Sequence, residues 1–140
     1  MQAGKRNSEV VGIGNSAAMS AREERTWSVL AHLSMFLNLF TGFLGPVAAL
    51  VIWFVYGYRS RKVAFHAIQS MWYQIVWLVV LAAGWTLTGL LMGVLIGFLL
   101  VPAMVVVSVV PFAHAAYAAY EISQGEKYRY PMAADLAESL

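Results

Sequence analysis

Arg59-Ser60-Arg61-Lys62 runs directly into Val63-Ala64-Phe65-His66-Ala67-Ile68-Gln69-Ser70-Met71-Trp72-Tyr73-Gln74. A basic loop thus opens a long apolar segment that holds a few polar side chains. On a helix, His66, Gln69, Ser70, Tyr73 and Gln74 are spaced three and four apart and form one polar stripe on a greasy rod. A polar group turned to hydrocarbon without a partner costs roughly 2–7 kcal/mol. The stripe therefore predicts company, either other helices or a wet cavity.

Charge placement sets the class. The chain has 140 residues, 61% hydrophobic and 11% charged, against about a quarter charged in soluble domains. Thr26–Tyr58 and Val63–Tyr120 contain no Lys, Arg, Asp or Glu, and uncharged apolar runs beyond about 18 residues are candidates to span a bilayer. A net charge of +2 is too small to argue for nucleic acid. The absence of Cys removes disulfides and thiolate chemistry. No short apolar core precedes a cleavage site, so the first span is expected to serve as its own insertion signal.

Taken in order, residues 1–19 read as a flexible tail rich in Gly, Ser and Asn. Ser20-Ala21-Arg22-Glu23 fits a capping box that starts a helix, and Trp27 suits the membrane interface. The first apolar run, Thr26–Tyr58, would be roughly 50 Å long as one helix, too long for a hydrocarbon core of about 30 Å. Thr41-Gly42-Phe43-Leu44-Gly45-Pro46 supplies a break, with Pro46 suited to open a new helix. Lys and Arg collect on cytoplasmic flanks. Three spans would split the nine basic residues four to five, with Lys5, Arg6, Arg22 and Arg25 opposite the rest, whereas four spans put all nine on one side. The expected fold is all-α: a polytopic integral membrane domain over 20–124, with four transmembrane helices (about 21–40, 46–58, 63–86 and 93–123) arranged as two hairpins. Both termini are expected to be cytoplasmic, and 125–140 forms a C-terminal segment. The second turn is expected between Trp85 and Gly97, within the spaced series Gly89, Gly93 and Gly97. Pro111 is expected to kink the last span, and Gly125 to end it. Beyond Pro131, Met132, Leu136 and Leu140 suggest a short helix lying on the membrane surface.

Several of these stretches together resemble a known family. Arg25-Thr26-Trp27 with Ala31-His32-Leu33-Ser34, Gly45-Pro46 with Ile52-Trp53, Phe65-His66-Ala67 with Gln69 and Gln74, and Gly125-Glu126 with Tyr128-Arg129-Tyr130-Pro131 resemble a group of small bacterial membrane proteins of unknown function. That group is similar to the chloroplast inner-envelope protein-import (Tic-twenty-like) component. The resemblance implies four membrane helices with cytoplasmic ends in the bacterial inner membrane, and no reaction. The chain departs from that pattern at Trp72 and Ile68, where the family often has Asn and Lys, and this makes the stripe less polar.

The candidate chemistry is sparse. His32, His66 and His114 lie roughly 6–12 Å from the cytoplasmic ends of their helices, and three imidazoles could hold a metal or a tetrapyrrole. No His-x-x-His or Glu-x-x-His spacing supports such a centre, so helix packing is favoured and no cofactor is expected. Asn38 and Thr41 are expected to mark the outward turn rather than meet the stripe. Arg59, Arg61 and Lys62 form a basic cluster that sets topology or meets lipid head groups. Nucleophile elbows, phosphate loops and buried carboxylate pairs are all missing from the sequence. The expected function is a non-catalytic accessory or assembly subunit, working with the lipid bilayer and with a membrane-protein partner or a second copy. The alternative is a transport or import component with a polar path along the third helix.

Overall fold

The Ser20 hydroxyl takes the amide of Glu23 at 3.2 Å, while the Glu23 carboxylate takes the amide of Ser20 at 2.8 Å. This reciprocal cap opens α1 (Ala21–Leu33) in the computed structural model, which describes residues 18–139. The expected tail falls almost wholly outside that range. The rod continues through a 3-10 turn (Ser34–Leu37) into α2 (Asn38–Thr41). It tightens where the Ala31 carbonyl accepts two hydroxyls, from Ser34 at 2.7 Å and Ser70 at 2.6 Å, as hydroxyls bonded back into a helix tend to do.

Gly42 adopts φ +81° and ends the rod, a left-handed conformation that glycine enters at no steric cost. α3 (Leu44–Tyr56) then runs back. It starts two residues before Pro46, which still lies in the first turn, where a missing N–H breaks no helical bond. Its first amides are capped across the turn, Leu44 by the Thr41 hydroxyl at 3.2 Å and Gly45 by the Asn38 side-chain oxygen at 2.8 Å. A Cβ on Gly45 would meet the side-chain amides of Gln74 and Asn38, so a larger residue there would have to displace them. Ser60 caps α4 (Arg61–Met92) through the Val63 amide and also donates to Glu24, tying the loop to α1.

α4 has 32 residues and α5 (Ile96–Ser123) has 28. The turn between them is Gly93-Val94-Leu95, with Leu95 at φ +65°. α4 thus runs past the expected boundary at Thr86. The threonine cluster does not stop it, because Thr88 returns its hydroxyl to the Gly84 carbonyl at 2.8 Å. The turn divides the glycine series, and the Gly97 backbone instead abuts Met92 and Thr88. α5 continues through Pro102 and Pro111. Gly125 ends it at φ +90°, with the Glu126 amide reaching back to the Glu121 carbonyl, which is a Schellman-type stop.

α6 (Ala133–Glu138) follows. It docks on α4 through buried Ala133 and Ala134, while Met132 and Leu136, the residues expected to lie on the membrane surface, stay exposed. Small side chains allow the closer backbone approach.

α4 is the spine of the molecule, touching α1, α3, α5 and α6. Ala31, Ile52, Val63 and Ala67 form one core cluster, and Tyr73, Ala118, Tyr130 and Ala133 the other. Trp27 stacks on Tyr56 with ring centroids 3.9 Å apart beside the first cluster. The most apolar windows of α4 and α5 are only 6% and 11% buried. A helix hidden in a soluble core would be mostly covered, so these two are candidate membrane-spanning helices.

Candidate functional site

The α4 stripe faces inward: His66, Gln69, Ser70, Tyr73 and Gln74 are each at most 9% exposed. Their partners come in tiers along the helix. Nearest the charged end, His32 Nε2 lies 3.4 Å from His66 Nδ1, and His32 Nδ1 lies 3.3 Å from the Tyr130 hydroxyl. With both rings neutral, one consistent proton order is Tyr130 donating to His32 Nδ1 and His32 Nε2–H donating to His66 Nδ1. One turn deeper, the Gln69 amide donates to the Tyr128 carbonyl at 3.5 Å, and Ser70 donates to Ala31. At the next level Gln74 donates to both Ser34 and Ser70 at 2.9 Å. Its oxygen accepts from Asn38 at 3.4 Å. Tyr73 stacks on Tyr130 with centroids 3.9 Å apart and planes 9° apart.

The network closes on itself. Among the described residues, the stripe's one buried side-chain atom left without a partner is Gln69 Oε1; Ser28 Oγ and Trp72 Nε1 are orphaned elsewhere. Asn38 belongs to the network as well as to the turn, whereas Thr41 serves the turn alone. Its signal in the sequence was polarity within an apolar run at the level of Gln74.

The three histidines do not converge. His114 is exposed on α5, and its Nδ1 lies 2.7 Å from the Tyr73 hydroxyl. Among the described residues no three His, Asp or Glu side chains come close enough to hold a metal ion.

The C-terminal motif Gly125-Glu126-Lys127-Tyr128-Arg129-Tyr130-Pro131 folds back onto the bundle. Gly125 reverses the chain, and Tyr128 and Tyr130 are laid back into the bundle, Tyr130 to 1% exposure. Burial, with Tyr73 and Tyr128 alongside, pushes the Tyr130 phenol above its usual value. Pro131 starts the turn into α6, its carbonyl accepting from Ala133. Arg129 pairs with Glu138 and with Asp135 at 3.5 Å. That hydrogen bond from Arg129 holds the Glu138 carboxyl below its usual value. In the basic loop Arg59 is half-buried, Arg61 is exposed, and Lys62 lies at the start of α4.

A family model described as the magnetosome magnetite crystal formation protein family (MamF/MmsF) matches residues 23–137. No curated protein and no solved structure matches the chain. This match corrects the resemblance to the Tic-twenty-like group, because the motifs that suggested it lie inside the matched range.

Proposed function

The chain belongs to the magnetosome magnetite crystal formation family, and from that premise we propose that it is a multi-pass, non-catalytic membrane component acting on crystal formation through membrane and protein contacts. All four helical segments cross or enter the bilayer as two hairpins. The termini and the Arg59–Lys62 loop share the cytoplasmic side.

The distribution of charge carries this reading. Every Lys, Arg, Asp and Glu lies before Thr26, between Arg59 and Lys62, or after Tyr120. The far turns, Gly42-Phe43 and Gly93-Val94-Leu95, have no ionisable group. Iron ions and their oxides are bound through carboxylates, imidazoles or thiolates, so the far side offers the mineral no ligand. A conducting path along α4 gains no support from the stripe, whose groups bond to side chains and backbone of the neighbouring helices. Such contacts hold helices together, at about 0.6 kcal/mol each and seldom above 2.

The lack of native Cys makes the test clean. In sealed vesicles of one orientation, Tyr58→Cys and Met132→Cys should react with an impermeant maleimide together, and Val94→Cys only from the opposite face. Labelling of Tyr58→Cys and Met132→Cys from opposite faces would refute the paired-hairpin topology. In cells, loss of the chain should alter magnetite crystal size, and Glu121→Gln with Glu126→Gln should restore normal crystals. Failure of that double variant would point to direct iron binding by these two carboxylates instead.

A further inference from the structure

At the charged end, the start of α4 and the segment after α5 face each other across a cleft of about 400 Å³. Arg61, Lys62 and Phe65 form one wall, and Lys127, Tyr128 and Arg129 the other. Arg129 is already compensated by Glu138 and Asp135, and its guanidinium carbon lies 5.6 Å from the Phe65 ring centroid. Arg61, Lys62 and Lys127 form no ion pair among the described residues. Three uncompensated cations from stretches far apart in sequence thus surround an aromatic lining. The N-terminal dipole of α4 adds positive potential at the same place.

The geometry points to a binding site for the phosphodiester of an anionic bilayer lipid, held by Arg61, Lys62 and Lys127 with its glycerol edge against Phe65 and Tyr128. The volume lies in the range of about 300–1,000 Å³ usual for small-molecule sites, with room for a head group. A soluble phosphate would use the cations but not the aromatic walls. The cleft also opens where α4 leaves its basic loop for its apolar run, at the level of lipid head groups. This inference rests on the membrane reading above and adds a ligand to it.

Native mass spectrometry of the full chain, released from nanodiscs of equimolar phosphatidylcholine and phosphatidylglycerol, tests the site. The wild-type chain should retain one phosphatidylglycerol in preference to phosphatidylcholine. Lys62→Gln with Lys127→Gln should weaken that retention about fivefold per cation, roughly thirtyfold together. Arg22→Gln, which removes an exposed cation at the start of α1 and outside the cleft lining, should leave it unchanged. No lipid preference in the wild type, an equal loss per cation in Arg22→Gln, or displacement of the lipid by inorganic phosphate would each overturn the site. Chains that enter the nanodisc without preference refute this inference alone; chains that fail to enter refute the membrane reading with it.

Discussion

At the scale of single residues, the two glutamines of α4 differ although the sequence presents them alike. Gln74 has partners at both ends of its amide, through Ser34, Ser70 and Asn38. Gln69 has one long bond to the Tyr128 carbonyl and an orphaned oxygen. Removing one member of a satisfied set leaves the others unpaired, whereas removing an unsatisfied group relieves a desolvation cost. Gln74→Leu is therefore expected to destabilise the bundle by about 1–2 kcal/mol, and Gln69→Leu to be neutral or stabilising. Thermal unfolding in detergent decides the point, and the reverse order would mean that the bonding pattern is misassigned.

At the scale of elements, the segment from Gly125 to α6 is a plug. Tyr130 anchors it by stacking on Tyr73 and bonding His32. Burial raises its phenol, so docking is intact below the free phenol's pKa of about 10. Docking weakens as pH climbs toward the higher bound-state value, by up to about 1.4 kcal/mol per unit. Tryptic cleavage at Lys127 and Arg129 should accelerate above that pH, and Tyr130→Phe should remove most of the pH dependence. A cleavage rate as pH-dependent in Tyr130→Phe as in the wild type would assign the transition to another group. The plug was half legible in the sequence. Gly125 announced the stop, but nothing local in Tyr128-Arg129-Tyr130-Pro131 says that the segment folds inward. Its helix leaves Met132 and Leu136 exposed and docks through Ala133 and Ala134, a small-residue face that no periodicity marks.

At the scale of the whole molecule, the two hairpins have unequal reach. α3, with 13 residues, extends roughly 20 Å, short of a hydrocarbon core of about 30 Å. α4 and α5 are far longer, and their distal halves carry exposed Val79, Leu90, Leu99 and Val106. If the short hairpin crosses as proposed, local thinning of the bilayer over it is the inexpensive remedy. The chain should then melt higher in short-chain than in very-long-chain phosphatidylcholine, and a melting temperature that rises steadily with chain length would exclude it. What the sequence by itself determined was local: apolar helices, the cap at Ser20, breaks at Gly42 and Gly125, and charge confined to the flanks of the apolar runs. Hydropathy and capping act within a few residues, so they can be read directly. The motifs misled on family because aromatic and polar residues at helix ends recur wherever helices meet a membrane interface. Only the tertiary structure decided that Tyr130 reaches His32 across 98 residues, that His114 stands apart, and that two basic stretches share one cleft. Those outcomes depend on helix rotation and on how the chain folds back, and no window of sequence contains either.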